Sequence, residues 1–134
     1  MDQNTGLRIF VVDDSKEDHF FIKEGLKDFN IYFQSFYDGE EFYLHMLNKK
    51  NDPTYQHPDI VILDINMPKL TGFEVYEKMI KDDLQDNIKF FILTTTLSDR
   101  DKERGVRLGI DCYTKPFSIS EFSKLLQELI KKYM

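Results

Sequence analysis

The 134-residue chain predicts an α/β fold, a parallel sheet of five strands joined by helices, and three observations carry that expectation. Strand-like and helix-like segments alternate along the chain, the pattern of parallel strands linked by right-handed crossovers. The run Ile60–Leu63 is apolar without alternation, as in a strand buried on both faces. Finally, 41% of the residues are hydrophobic, enough for one core and too many for a disordered chain.

In order, the first strand is Leu7–Val12. Ser15 can cap the helix after it, with Asp18 three residues on resembling a capping box. The apolar positions Phe21, Ile22, Gly25, Leu26 and Phe29 then follow the 3.6-residue period. Ile31–Phe36 is the second strand, and a helix over about residues 39–47 carries Phe42, Tyr43, Met46 and Leu47. Residues 48–59, NKKNDPTYQHPD, are polar with two prolines and read as an exposed loop. Ile60–Leu63 is the third strand; the next helix begins near Gly72 with Phe73, Val75, Tyr76, Met79 and Ile80. Residues 89–93 form the fourth strand. The fourth helix, DRDKERGVRLG at 99–109, is mostly charged, so it buries little and should be among the elements easiest to shift. Asp111–Thr114 is the fifth strand. The last helix, capped by Ser118 or Ser120, places Phe122, Leu125, Leu126, Leu129, Ile130 and Tyr133 on one stripe. Residues 1–6 read as an N-terminal tail and 7–134 as one domain, with no repeat and no output domain.

Several classes of function are disfavoured. A net charge of −6 opposes nonspecific binding to nucleic acid. No run reaches the roughly 18 apolar residues that span a bilayer, so no membrane partner is expected. The polar, acidic start MDQNTGLRIFVV is not a signal peptide. Cys112 is the only cysteine, which forbids an internal disulfide and makes a reducing, cytoplasmic setting the default. It reads as a small packed residue. His19, His45 and His57 read as solvated or packed surface residues, not as phosphodonors.

The strand ends hold the chemistry. Open parallel sheets bind ligands at the carboxyl ends of their strands. The first strand ends in Asp13 and Asp14, and the third in Asp64. The fourth ends in Thr94, before Thr95 and Thr96, and the fifth in Lys115 before Pro116. Three carboxylates in one crevice repel unless a cation joins them, and oxygen ligands with room for water suit Mg²⁺. A hard cation, a lysine and a hydroxyl can hold the equatorial oxygens of a phosphoryl group. The remaining carboxylate is then free to act as a nucleophile and give an acyl phosphate.

RIFVVDDS, LDINMPKLTG with its D-x-x-M-P-x-x-x-G spacing, FILTTT and YTKPF together resemble the receiver domain of response regulators in two-component signalling. The resemblance covers nearly all of residues 7–133 and is greatest to single-domain receivers of the phytochrome-partner type. It implies a doubly wound, flavodoxin-like sheet in the order 2-1-3-4-5 flanked by five helices. It also implies that Asp64 is the phosphoacceptor and that Asp14 binds Mg²⁺ directly. Asp13 would assist, and Asn66 would give its backbone carbonyl. Thr94 and Lys115 would take phosphoryl oxygens. The family commonly has an aromatic switch residue three positions before the lysine. Cys112 stands there, Tyr113 is two before, and GIDCYTKP is one residue short, so strand parity points Tyr113 away from the usual side.

The partners implied are a sensor histidine kinase or a histidine phosphotransfer protein, and a downstream protein target docked after phosphorylation. The chain would catalyse only its own phosphoryl transfer and autodephosphorylation and would not be an enzyme in the ordinary sense. Homodimerisation through the fourth helix, fifth strand and fifth helix is compatible with this class, as is service as a relay intermediate or phosphate sink. A haloacid-dehalogenase-type hydrolase would need a second Asp two positions after the nucleophile, where Asn66 stands. A receiver that is never phosphorylated would have no use for the full set of side chains.

Overall fold

A computed structural model describes residues 6–133, so most of the expected tail, residues 1–5, lies outside the described residues. The elements are β1 (Leu7–Val12), α1 (Lys16–Gly25), β2 (Ile31–Phe36), α2 (Gly39–Lys49), β3 (Ile60–Leu63), α3 (Gly72–Lys81), β4 (Lys89–Thr94), α4 (Asp99–Leu108), β5 (Asp111–Thr114) and α5 (Ile119–Lys131). The strands pair in parallel in the order β2-β1-β3-β4-β5, as the resemblance implied. The order reverses at β1, and the crevice beyond β1 and β3 is therefore where such a sheet accepts a ligand.

Side-chain alternation along each strand divides the apolar residues between two cores, one per face. Phe10 and Val12 of β1 meet Phe42 and Met46 of α2 and Phe73, Val75 and Met79 of α3. Ile9 and Val11 face the other way, toward Ile22 and Leu26 near α1 and Leu126 and Ile130 of α5. All four residues of β3 are buried, which explains its unbroken apolar run.

Several boundaries differ from the sequence reading. β4 runs one residue further than residue 93, because Thr94 still pairs with Thr114 of β5. α2 extends to Lys49, and Ser118 rather than Ser120 caps α5 by accepting from the Glu121 amide. The charged α4 has firm ends: Ser98 and Asp101 form a reciprocal capping box, and Gly109 closes the helix at φ 74°. The loop over 48–59 is not wholly free, since His45 Nε2 lies 2.8 Å from the Tyr55 hydroxyl and Tyr55 packs on the core. His19 is buried and is not a solvated residue.

Candidate functional site

The strand-end residues are held by the sheet itself. The Asp13 amide donates to the Phe36 carbonyl at 3.0 Å, and the Asp64 amide to the Val12 carbonyl at 3.0 Å. Both carboxylates therefore leave the backbone where the ladder is still intact. On the far side, the Lys115 amide donates to the Thr94 carbonyl at 2.7 Å. These bonds set the strand ends that carry Asp13, Asp64, Thr94 and Lys115 against one another.

Asp13, Asp14 and Asp64 place one carboxylate oxygen each within 4.8 Å of the others, with Asp14 exposed and the other two buried. One oxygen of each buried carboxylate is already used. Asp13 Oδ1 accepts from the Ser15 amide at 2.9 Å, and Asp64 Oδ1 accepts from the Ile65 amide at 2.8 Å. Asp64 Oδ2 is 3.6 Å from Lys115 Nζ. The second oxygen of Asp64 thus faces Lys115 while the first is pinned to the backbone. His19 anchors the start of the same loop, its Nε2–H donating to the Asp13 carbonyl at 2.7 Å.

The segment after Asp64 is tight. A Cβ on Gly72 would stand 2.2 Å from the Asp64 carbonyl oxygen, so only glycine allows α3 to start this close to Asp64. Lys69 turns the chain at φ 70°, and Thr71 and Glu74 form a capping box that starts α3. Asn66 lies exposed in this segment.

Burial and charge shape the titration. Burial pushes the Asp13 carboxyl up to about 6, against the hydrogen bond and charge of Lys115 and with the help of Asp64. Lys115 is buried as well, which opposes its charge. Hydrogen bonds to Asp13 at 2.8 Å and Asp18 at 2.6 Å outweigh this and hold it up to about 12. The ammonium is a fixed cation. Thr94 is fully buried, and its Oγ1 has no hydrogen-bond partner among the described residues. A buried hydroxyl without a partner is uncommon and marks a position that a ligand oxygen could satisfy.

The aromatic position behaves as parity requires. Cys112 faces α4, where a Cβ on Gly105 would come 2.6 Å from its sulfur. Tyr113 lies on the opposite face, its ring 6.0 Å from that of Phe91. Burial first, then Asp101 and Asp111, pushes the Cys112 thiol up to about 11, the environment of a packed residue rather than a nucleophile.

The structure therefore gathers Asp13, Asp14, Asp64 and Lys115 at one edge, with Thr94 closing the end of β4. Sequence reading missed Asp18. Its amide donates to Ser15 Oγ as a capping residue's would, but its carboxylate goes to Lys115 instead of returning to the cap. The available signal was position: the first turn of the helix after the acidic pair must sit at the sheet's carboxyl edge.

A family model described as "Response regulator receiver domain" matches residues 9–127. One curated relative, "Probable transcriptional regulator ycf27" of Guillardia theta, is 29% identical over 133 residues, 98% of this chain and 48% of that protein. Another of that description, from Cyanophora paradoxa, is matched over 31% of its length. The chain thus spans half or less of these two relatives. Among solved structures, the phosphorylated cyanobacterial phytochrome response regulator RcpA is similar with a TM-score of 0.81 and 26% identity, covering 95% of this chain and 93% of that one. The Mn²⁺-bound form of response regulator Rcp1 is similar with a TM-score of 0.79 and 26% identity, covering 95% and 94%.

Proposed function

Because the chain belongs to the response regulator receiver domain family of two-component signalling, we propose that it accepts a phosphoryl group on Asp64. The donor is a phosphohistidine on a sensor histidine kinase or a histidine phosphotransfer protein. The observation that carries this reading is the meeting of Asp64 with two further carboxylates and with Lys115, all at the switch point of the sheet.

Asp64 Oδ1 is occupied by the Ile65 amide, which leaves Oδ2 to attack phosphorus. A P–O bond forms, the P–N bond of the donor breaks, and its electron pair returns to the imidazole nitrogen. Lys115, 3.6 Å from Oδ2, pairs with one oxygen of the transferred group, and the unsatisfied Thr94 hydroxyl donates to another.

Asp13, Asp14 and Asp64 fit a hard divalent cation, with the backbone carbonyl of Asn66 as a further ligand. The donor set is all oxygen, and the raised Asp13 carboxyl is that of a crowded buried group that a cation would relieve. We assign the cation as Mg²⁺, which when bound neutralises charge on the transferring group.

The phosphorylated product acts by docking to a protein target, with Thr94 linking the acceptor to the α4 region. Relay of the phosphoryl group onward, or its loss as a sink, would use the same residues. Association of two copies through α4, β5 and α5 is a further part of the proposal, and would cover Val106, which projects from α4 with 82% of its surface exposed. Light scattering with and without phosphorylation tests it. The lone Cys112 supports a reducing, cytoplasmic setting. No helix among the described residues is long and apolar enough to cross a membrane.

The deciding test is incorporation of phosphate from acetyl phosphate with Mg²⁺, read by intact mass. The native chain gains one phosphoryl group and Asp64→Asn gains none. Equal incorporation in Asp64→Asn refutes the acceptor assignment.

A further inference from the structure

Lys115 is shared unequally. Its Nζ hydrogen-bonds Asp18 at 2.6 Å and Asp13 at 2.8 Å, while Asp64 stands off at 3.6 Å. An ammonium has three donors, and two of them are therefore committed to carboxylates other than the acceptor. Asp18 differs from its companions. It is on α1, outside the group of carboxylates close enough to share a cation, and its side chain is 20% exposed. Its cap interaction uses only the backbone amide; its carboxylate makes no bond back to the cap and serves the helix only as a negative charge in the first turn. Along with Lys115 it lines a small cavity of about 160 Å³ between α1 and the start of α5.

From this geometry we infer that Asp18 is a positioning residue that tethers Lys115 away from Asp64 and so keeps the acceptor cluster open to a divalent cation. The inference rests on the phosphoacceptor reading and adds a regulator to it. Without the Asp18 carboxylate, the lysine's remaining partners are Asp13 and Asp64, both members of the cation cluster. A buried ammonium resting on those two groups competes with Mg²⁺ for the same oxygens. Asp18 thus sets the cation affinity of the site without touching the cation.

The chain has no tryptophan, so Mg²⁺ binding is best followed by titration calorimetry on the full chain. Native protein, Asp18→Asn, Asp18→Glu, Lys115→Met and the double variant Asp18→Asn/Lys115→Met form the set. Asp18→Asn is expected to weaken Mg²⁺ binding by roughly 5-fold, the scale of one partly exposed ion pair. Asp18→Glu, which retains a carboxylate on a longer arm, is expected to recover most of the loss. In the Lys115→Met background, Asp18→Asn is expected to have no effect, because the residue it acts through is gone. Native affinity in Asp18→Asn overturns the inference. An equal loss in the Lys115→Met background also overturns it, because Asp18 would then act merely as one more negative charge. Neither result touches the site itself; only a native chain that binds no Mg²⁺ does that.

Discussion

Helices α3 and α4 are each ten residues long, each begins with a capping box, and each follows a strand that delivers a site residue. They are held very differently. α3 buries Gly72, Phe73, Val75 and Met79, whereas α4 buries Gly105 alone. The two are joined by Arg104 and Glu77 at 2.6 Å, a pair exposed enough to contribute little. Capping fixes where a helix starts and stops; apolar burial decides how firmly it sits. The segment after Asp64 is therefore the more firmly held, and the segment beyond Thr94 is the one that the proposed phosphorylation would shift more easily.

Substitutions can break this contrast. Phe73→Ala empties a fully buried site and is expected to destabilise the fold by about 3–5 kcal/mol in urea unfolding. Gly72→Ala forces a Cβ against the Asp64 carbonyl; a loss of about 1–3 kcal/mol is expected, together with slower labelling by acetyl phosphate. The matching changes in α4 are milder. Gly105→Ala meets the Cys112 sulfur first and the Ile110 carbonyl only at 3.1 Å, and its cost, about 1 kcal/mol, should fall when Cys112→Ala makes room. Val106→Ala, on the open face of α4, should lie within about 0.5 kcal/mol of the native chain. An α4 series as costly as the α3 series would dissolve the distinction.

A smaller effect probes the same contact chemically. Because the Cys112 thiol is raised from 9.0 to about 11, its thiolate is scarce in the folded protein at neutral pH. Alkylation by iodoacetamide should be slow and should accelerate as pH climbs toward about 11. Acceleration already complete near 9 would mean that α4 does not stay closed over β5.

Much of this was legible in advance, for physical reasons. Ile60–Leu63 announced a central strand because only a strand covered on both faces can be apolar throughout. Asp13, Asp14, Asp64 and Lys115 could be grouped because parallel strands all deliver their last residues to one edge. Side-chain parity placed Cys112 and Tyr113 on opposite faces. The Asp18–Lys115 bond was not legible. It joins residues 97 positions apart, and the local capping pattern offered Asp18 a sufficient role of its own. His19 was likewise placed at the surface, whereas it is buried, bonded to the Asp13 carbonyl and with the Tyr37 ring 4.5 Å away. The firmness of the ends of α4 was hidden by its charge, although Ser98, Asp101 and Gly109 spelled out both caps.

The most direct test of this division of labour is amide hydrogen exchange on the full chain with Mg²⁺, before and after phosphorylation by acetyl phosphate. The expected result is a change in protection over residues 95–110 with α3 unaltered. A fully phosphorylated Asp64 that leaves residues 95–110 unchanged, or that loosens α3 instead, would contradict the account.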